Sequence, residues 1–424
     1  MESYLSLPPF NRVDVTGQSL DPAWLKQFTN FDAGQALQPF LSTNPYTMPN
    51  SFDPPHERPN IAAQIDPRQD NSYPMNGFIS AIPTKVSNVP AVRNLVMSYF
   101  GAEQAPMNHF FASHFTICDR WFCSLPAGTQ ANRLMSMSGF SMIEINQTPL
   151  PDQDLVYKWL NTIGVSWRVY HQGIPFFSMM PQWLPAILFD DEHFRSFDAF
   201  APDLQNTPPD KLPQVIFIEP TYGDAPRLGN STDDHAPAGI ANGQEFLMQF
   251  YNAVIVEPFW QSALLIVDYD EHGGFFDHVA PPLIRTDPPP GAKYTTTFAS
   301  LGVRTPAYLI SPFVDAGAVS HNLLDHTSVL KLLGEKFNSG SYSPAVDSRP
   351  VGSVSHVLDF SNPLVKPPAA PAVDDYLNSR PATPVGVTTP AGNTVLQQGF
   401  RDAIDSMKQH GADATHPKFG LLLA

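Results

Sequence analysis

The sequence predicts an α/β fold with a mostly parallel central sheet and helices on both of its faces. Four short apolar runs bounded by Gly, Pro or polar residues have the pattern of buried strands, at 165–170, 215–218, 264–267 and 307–310. Apolar residues spaced at three and four indicate helices at 244–256 and 324–337. Strands that alternate with helices are typical of a parallel sheet, because a helical crossover returns the chain to the starting edge.

Other segments also have helical spacing. They lie at 92–100, 107–115 and 394–409. Asp325 or Thr327 can cap the helix at 324–337, since both side chains accept hydrogen bonds from the first turn. These helices add to the body of the fold rather than to its sheet.

The composition changes along the chain. Residues 1–69 are rich in Pro, Asn, Asp and Phe, which favours an irregular surface segment. Pro, Ala, Val and Thr dominate 363–392, which is typical of an extended arm. We therefore expect one large domain at 1–362 and a Pro-rich arm with a C-terminal helix at 363–424.

Charge and hydropathy limit the classes of partner. The chain has 424 residues, 45 prolines and a formal net charge of −16. Nucleic acid is disfavoured because its binding depends on cationic contacts to phosphate, and an anionic membrane surface is disfavoured for the same reason. No apolar stretch approaches the roughly 20 residues that span a bilayer, and the first ten residues lack the pattern of a signal peptide. A bound divalent metal can still supply local positive charge.

Two cysteines, Cys118 and Cys123, lie five residues apart. That spacing allows a small disulfide loop, and it equally allows two buried thiols. We favour buried thiols, because nothing else in the sequence is typical of a disulfide-built fold.

The strongest candidate site follows the apolar run at 264–267, which leads into DYDEHGGFFDHV at 268–279. In open α/β sheets, ligands bind beyond the carboxyl ends of the strands. Adjacent side chains on a straight strand point to opposite faces, so Asp270 and Glu271 can share a metal only if the chain turns, and the two glycines supply that turn. The alternative is an acidic, solvated loop, but its two phenylalanines indicate a packed one. We therefore interpret this segment as a site.

The second candidate segment is DRWFCSLPAGTQANR at 119–133, in which a Pro-Ala-Gly turn precedes a helix expected to begin at Thr129. A hydroxyl at a helix N-terminus lies in a positive dipole beside free N–H groups, which can bind phosphate and lower the pKa of the hydroxyl. Thr129 can equally be a plain N-cap. Asn132 and Arg133 are candidate contacts for phosphate oxygens. Arg133 can also be structural, by pairing with Asp119.

Three shorter segments place histidines among acidic residues. The segment DPPH ends at His56. Taken alone it is a weak signal, because a histidine after two prolines is usually only a loop residue. DDH ends at His235 and is equally consistent with a metal ligand, a phosphate donor and a solvated turn. DHT contains His326, which capping does not explain. The sequence has no P-loop, dinucleotide-binding glycine pattern, paired CxxC, HExxH or GxSxG motif, so nucleotide-dependent enzymes, structural zinc modules and serine esterases are disfavoured.

Taken together, these segments resemble the phosphoesterase family that contains bacterial non-haemolytic phospholipases C and related acid phosphatases. The resemblance runs from about residue 4 to residue 337 and rests on DRWFCSLPAGTQANRLMSMSG, FIEPTYGDAPR with DDHAP, YDEHGGFFDHVAPP and DHTSVLKLLGEKF, in that order. It implies an alkaline-phosphatase-like α/β fold for the domain at 1–362. It also implies hydrolysis of a phosphoester, either a phospholipid or a small phosphomonoester. Relatives are commonly exported, so the resemblance implies a secreted or periplasmic location.

The resemblance implies a role for each matching residue. Thr129 is implied as the nucleophile and as a metal ligand, with Asp270 and Glu271 as further ligands of a divalent metal ion. Three histidines are implied around the phosphoryl group as ligands, donors or general acid: His56, His235 and His278. His272 is the alternative to His278. In the implied reaction Thr129 attacks phosphorus in line, and water then releases the phosphoryl group from the enzyme.

One expected motif of the family is not found in the chain. Members begin with an apolar strand leading into Glu-Asn-Arg-Ser-Phe-Asp-His, whose Glu and Asn complete the metal site, and this sequence starts just downstream of it. A site reduced to Thr129, Asp270 and Glu271 is expected to bind metal weakly. One hypothesis is therefore an N-terminally incomplete hydrolase, and the other is a non-catalytic relative that binds phosphate or phospholipid without turnover. A sulfatase is disfavoured, because sulfatases need Cys or Ser in a CxPxR-like context and the chain has AGTQANR.

Overall fold

A computed structural model describes residues 4–32, 34–42, 52–83, 93–226, 231–256, 258–372 and 394–423. The strands are β1 (Asn30–Asp32), β2 (Gln35–Leu37), β3 (Phe40–Leu41), β4 (Ser98–Tyr99), β5 (Thr116–Cys118), β6 (Trp121–Phe122), β7 (Trp167–His171), β8 (Phe194–Ser196), β9 (Val215–Glu219), β10 (Leu265–Asp268), β11 (Ala307–Ile310), β12 (Val319–Ser320) and β13 (Leu324–Asp325).

The helices are α1 (Pro22–Gln27), α2 (Arg58–Ile65), α3 (Pro106–His114), α4 (Thr129–Ser138), α5 (Val156–Ile163), α6 (Leu184–Phe189), α7 (Phe200–Asn206), α8 (Ala241–Val254), α9 (Thr327–Phe337), α10 (Pro344–Asp347), α11 (Val395–Gln409) and α12 (Gly420–Leu423). Across the described ranges, no helix combines the length and the apolar character needed to cross a membrane. The described residues form two compact units: unit 1 draws on 1–45, 52–145 and 264–364, and unit 2 draws on 146–263 and 365–424.

Unit 1 is built around a four-stranded sheet in the order β10-β11-β5-β12. Its ladders are antiparallel between β10 and β11 and between β11 and β5, and parallel between β5 and β12. Along the chain, β6 follows β5 and β13 follows β12. The strands β6 and β13 form a parallel pair. Two small pairs complete the strands of this unit, β1 with β2 and β3 with β4. Along the chain, α4 follows β6 and α9 follows β13. The two helices pack on each other.

Unit 2 is built around three parallel strands in the order β8-β7-β9. The helix α8 packs on α7, and α11 packs on α6. A capping box starts α11, because Thr394 accepts from the backbone of Gln397 and the Gln397 side chain accepts from the backbone of Thr394.

The structure confirms all four predicted strands, as β7, β9, β10 and β11, and the mixed α/β class. A single, mostly parallel central sheet is not what the described residues form. The reason is that the connection from β10 to β11, at 269–306, contains no helix. An antiparallel pair needs no helical crossover, and an apolar run does not show the direction in which its strand will pair. The domain boundary at 362 stays a prediction, and residues 373–393 of the expected arm lie outside the described residues.

The predicted helices are confirmed with two corrections. Helices are found at 107–115, 244–256 and 394–409 as α3, α8 and α11. The helix expected at 92–100 is wrong, because Asn94–Met97 forms a single 3₁₀ turn and β4 follows at once. The helix expected at 324–337 begins only at Thr327, since Leu324–Asp325 pairs with β6, and Asp325 Oδ1 accepts from Thr327 N at 2.8 Å.

The two cysteines lie in and beside the central strands. Both are buried with free thiols, as the sequence favoured. Burial raises the pKa of Cys118 to about 12 and raises that of Cys123 well above its ordinary value, so both are neutral thiols. The backbone of Gly302 passes so close to this region that a Cβ there would lie 2.7 Å from Cys123 Cβ and 2.5 Å from Leu125 O.

Gly302→Ala is therefore expected to destabilise unit 1 by about 1–3 kcal/mol, the usual cost of overpacking a dense core. Gly173→Ala is the matched control, because a Cβ at Gly173 meets its neighbours at the ordinary distance of 3.6 Å. Urea denaturation of both variants measures the difference. Equal midpoints for Gly302→Ala and the wild type would contradict this close approach.

A pH dependence is expected from His171 in unit 2. This ring is buried, donates through Nδ1 to Gly173 O at 2.6 Å and stacks on Phe419 with centroids 5.3 Å apart. Burial lowers its pKa to about 4 from an ordinary 6.5. The unfolded chain therefore binds a proton at this ring as the pH falls below 6.5 while the folded chain does not, so stability is lost between pH 6.5 and about 4. The loss should be roughly 3 kcal/mol.

The measurement is the free energy of unfolding at pH 7 and at pH 4.5. His171→Gln should show a smaller loss between the two than the wild type, because glutamine does not titrate. His410→Gln changes an exposed histidine and should behave like the wild type. A loss in His171→Gln as large as in the wild type would refute the assignment.

Candidate active site

The turn before α4 is folded by a buried side-chain amide. Asn132 is fully buried, and its Oδ1 accepts from Leu125 N at 2.9 Å while its Nδ2 donates to Ala127 O at 2.7 Å. A second anchor is Arg349, whose Nη2 donates to Ser124 O at 2.7 Å. The sequence made Asn132 a candidate for contact with phosphate oxygens. In the structure its side-chain amide instead forms hydrogen bonds with the backbone of this turn.

Thr129 is the first residue of α4, and the N-cap is Gly128. The alternative that Thr129 is a plain N-cap is therefore wrong, because the capping position carries no side chain. Thr129 is buried, and among the described residues its Oγ1 has no hydrogen-bond partner. A buried hydroxyl without a partner is costly, so such a group is a candidate for contact with a ligand.

Arg133 lies one helical turn after Thr129 and therefore on the same face of α4. Its Nε is 3.4 Å from Oδ2 of Asp270, and both side chains are about three-quarters buried. The alternative pairing of Arg133 with Asp119 is wrong: the Asp119 carboxylate instead accepts from Thr16 N at 2.9 Å and contacts His321 at 2.9 Å. The ion pair brings the face that carries Thr129 to the loop after β10.

The loop after β10 turns at the glycine pair, as the sequence predicted. Gly273 and Gly274 have φ of +65° and +74°, a region that favours glycine. Glu271 is buried, and its Oε2 accepts from Gly273 N at 2.7 Å. Beyond the turn, Asp277 forms a buried pair with Arg304, with two N–O distances of 2.7 Å. Burial raises the pKa of Asp277, but the positive charge of Arg304 lowers it more, so the pKa lies well below its usual range. The ion pair with Arg304 fixes this end of the loop.

His326, which the sequence singled out, contacts the strand end beside these carboxylates. Its Nε2 donates to Asp270 O at 2.9 Å, and its Nδ1 lies 3.4 Å from Asp268 Oδ2. Burial lowers the pKa of His326, but the hydrogen bond and the charge of Asp268 raise it, and the net pKa is above its usual value. His326 therefore fixes the backbone of Asp270.

His272 is held in place by Gln64, a residue that sequence reasoning missed. The amide of Gln64 donates to Pro55 O at 2.6 Å, so its Oε1 must accept from His272 Nε2 at 2.9 Å. Burial lowers the pKa of His272 well below its ordinary value, which keeps the ring neutral. The ring of His278 contacts two aromatic rings, with centroids 5.1 Å from that of Trp24 and 5.3 Å from that of Phe28.

The segment at 53–57 packs against the same loop. A Cβ on Gly274 would lie 2.7 Å from Pro54 Cβ, so only glycine permits this approach. His56 is buried, and its Nδ1 donates to Pro54 O at 2.7 Å, which leaves the lone pair of the neutral ring on Nε2. The carboxylate of Glu57 packs on Gly128, where a Cβ would lie 3.0 Å from Glu57 Oε2.

His235 belongs to unit 2. Its backbone N donates to Asp233 Oδ1 at 3.2 Å, and its Nδ1 donates to Ala236 O at 2.5 Å. The carboxylate of Asp233 also accepts from Gly223 N at 2.6 Å, and burial raises the pKa of Asp233. The DDH segment is thus an ordered, hydrogen-bonded loop rather than a solvated turn. Unit 1 by itself brings Thr129, Arg133, Asp270, Glu271 and the segment at 53–57 into one neighbourhood.

Comparison with known proteins finds relatives over most of the chain. Non-specific phospholipase C3 of Arabidopsis thaliana is 32% identical over 340 residues, which cover 73% of this chain and 62% of the relative. Phospholipase C B of Mycobacterium tuberculosis is 27% identical over 396 residues, which cover 80% and 71%. The chain thus spans about three fifths of the length of the plant relative. A phosphonate monoester hydrolase of Agrobacterium radiobacter has 12% identity and a TM-score of 0.35 over 62% of this chain and 74% of that one, a likeness too weak to assign a fold.

The family comparison covers most of the chain. The model of the Phosphoesterase family matches residues 13–339, a range that includes α4 and the whole loop after β10. The residues gathered in unit 1 therefore all lie within the matched range. On this evidence the chain belongs to the Phosphoesterase family.

Proposed function

We propose that this protein hydrolyses phosphoesters in a metal-dependent reaction in which Thr129 is the nucleophile. The observation that carries the proposal is the Thr129 hydroxyl, which is buried at the start of α4 with no hydrogen-bond partner among the described residues. Membership of the Phosphoesterase family supports the same chemistry. An alkaline-phosphatase-like fold for the domain at 1–362 is part of this proposal.

The donor set beside Thr129 fits a divalent metal ion. The carboxylates of Asp270 and Glu271 and the hydroxyl of Thr129 offer the oxygen atoms that hard divalent ions prefer. Oδ2 of Asp270 is buried and makes no hydrogen bond within the described residues, although Arg133 lies 3.4 Å away. These three residues would hold the ion, and when bound it would supply positive charge to the phosphoryl oxygens.

The chain's own residues perform the rest of the reaction. The N–H groups at the start of α4 orient a phosphate group towards Thr129, because they point along the helix axis and the helix dipole favours an anion. Arg133 lies on the same face and adds a charged donor. Thr129 Oγ attacks phosphorus in line and displaces the ester oxygen, and water then hydrolyses the phosphoryl-threonine. The roles that the resemblance implies for His56, His235 and His278 stay predictions.

The substrate class follows from the relatives. Two of them carry the name phospholipase C, so we propose a phospholipid as the substrate, with the ester on the glycerol side of the phosphate as the bond that breaks. A small phosphomonoester is the alternative substrate of the same site. Vesicles of phosphatidylcholine and p-nitrophenyl phosphate distinguish the two.

Removal of the nucleophile is the direct test. Thr129→Ala should lower kcat by roughly a thousand-fold or more on whichever substrate the wild type turns over, because the attacking oxygen is lost. Thr162→Ala, on the exposed surface of α5, is the matched control and should keep full activity. Steady-state kinetics with added Mn²⁺, Zn²⁺ or Ca²⁺ provide the measurement.

Two outcomes contradict the proposal. Turnover by Thr129→Ala at the wild-type rate would exclude Thr129 as the nucleophile. Binding of phosphate by a folded wild-type protein that turns over no phosphoester with any of the three ions would instead favour a non-catalytic relative.

Metal binding gives a test that is independent of turnover. Asp270→Asn should weaken the binding of a divalent ion by at least about 10-fold, because one anionic ligand is lost. Asp154→Asn removes an exposed carboxylate that pairs with Lys158 and should leave the affinity unchanged. Isothermal titration of the purified protein, after treatment with a chelator, measures both. An affinity of Asp270→Asn equal to that of the wild type would remove Asp270 from the metal site.

A further inference from the structure

Gln64 is a fully buried polar side chain on α2. Its Nε2 donates to Pro55 O at 2.6 Å, and its Oε1 accepts from His272 Nε2 at 2.9 Å. One side-chain amide therefore joins the segment at 53–57 to the loop after β10. The bridge needs a donor and an acceptor on the same side chain, which glutamine offers and an apolar side chain of the same length does not.

The backbone that carries Gln64 is anchored independently of this side chain. Gln64 O accepts from Gly77 N at 3.0 Å, and a Cβ on Gly77 would lie 1.8 Å from Ala63 O, so only glycine permits this approach. On the same helix, Ile61 and Ile65 are buried in the core. The amide of Gln64 is therefore presented to His272 from a fixed position.

The bridge decides which nitrogen of His272 carries the proton. The amide oxygen of Gln64 can only accept, so the N–H of the ring must lie on Nε2. The other ring nitrogen, Nδ1, is buried, makes no hydrogen bond within the described residues and lies 3.6 Å from Oε2 of Glu271. In a neutral imidazole the partner of one nitrogen fixes the role of the other, so the N–H of His272 is directed away from the Glu271 carboxylate.

The alternative form of the ring would affect Glu271. With its proton on Nδ1, a small rotation of the His272 ring would let this nitrogen donate to Oε2 of Glu271. Such a hydrogen bond would compete with a divalent ion for the negative charge of the same oxygen. Both forms of the ring are neutral, so the two differ in the direction of the N–H and not in charge.

We propose that Gln64 is a positioning residue of the candidate metal site, which keeps the N–H of His272 turned away from Glu271 so that this carboxylate binds a divalent ion. The inference rests on the metal-dependent function proposed above. Gln64 acts through His272 and needs no contact with the ion itself. Residues one step removed from the ligands commonly set the orientation of a metal site in this way.

Removal of the amide is the first test. Gln64→Met keeps the length of the side chain without its donor and acceptor, and it should weaken the binding of Mn²⁺ or Zn²⁺ by about 10-fold or more. Gln244→Met changes an equally buried glutamine of unit 2 and should bind the ion like the wild type. Isothermal titration of the full chain after treatment with a chelator measures the affinities, and circular dichroism checks that each variant is folded.

The position of the proton gives a readout that depends neither on the ion nor on turnover. Long-range proton–nitrogen NMR of the histidine-labelled chain distinguishes a proton on Nε2 from one on Nδ1, and the signal of His272 is assigned by its absence in His272→Leu. The wild type should carry the proton on Nε2, and Gln64→Met should carry a larger share on Nδ1. A proton on Nδ1 in the wild type would overturn the inference, whether or not Gln64→Met folds.

A double-mutant cycle tests whether Gln64 acts through His272. In the His272→Leu background the ring is gone, so adding Gln64→Met should lower the affinity for the ion by less than about 2-fold. A loss as large as in the wild-type background, or wild-type affinity in a folded Gln64→Met, would overturn the inference while leaving Asp270 and Glu271 as ligands. A folded wild type that binds neither Mn²⁺ nor Zn²⁺ would overturn the metal-dependent function proposed above and this inference with it.

Discussion

The buried amide of Asn132 supports the turn on which the whole candidate site depends. Its oxygen accepts from Leu125 N, and its nitrogen donates to the carbonyl of Ala127. Without these bonds, buried backbone groups of the turn would lose their partners at a cost of about 1–3 kcal/mol each. Because the turn decides where α4 begins, the same amide places Thr129 at the first helical position and Arg133 one turn later.

Two buried arginines hold the surrounding loops in register with this turn. Arg349 pairs with Asp325 at 2.6 Å and donates to Ser124 O, and Arg304 pairs with Asp277 and donates to Asp119 O at 2.8 Å. Buried ion pairs add little net stability, since desolvation offsets most of their attraction. Their effect is geometric, because each guanidinium joins segments that are far apart in the chain.

The charge balance explains why so many carboxylates can gather in one unit. Asp268, Asp270 and Glu271 follow each other within four residues of a chain whose net charge is already −16. Arg133 Nε lies 3.4 Å from Asp270 Oδ2, and His326 Nδ1 lies 3.4 Å from Asp268 Oδ2. A bound cation would offset the remaining negative charge, which is consistent with the metal-dependent reaction proposed above.

The sequence by itself determined the α/β class, the strand that delivers Asp270 and Glu271, the glycine turn after them and the helix that begins at Thr129. Each of these follows from local spacing and residue type, which a single segment contains in full. Only the tertiary structure decided the antiparallel pairing of β10 with β11 and the contact of Glu57 with Gly128. The reason is that these contacts join segments separated by about 40 to 70 residues, and no local pattern encodes which distant segment a strand or a carboxylate will meet.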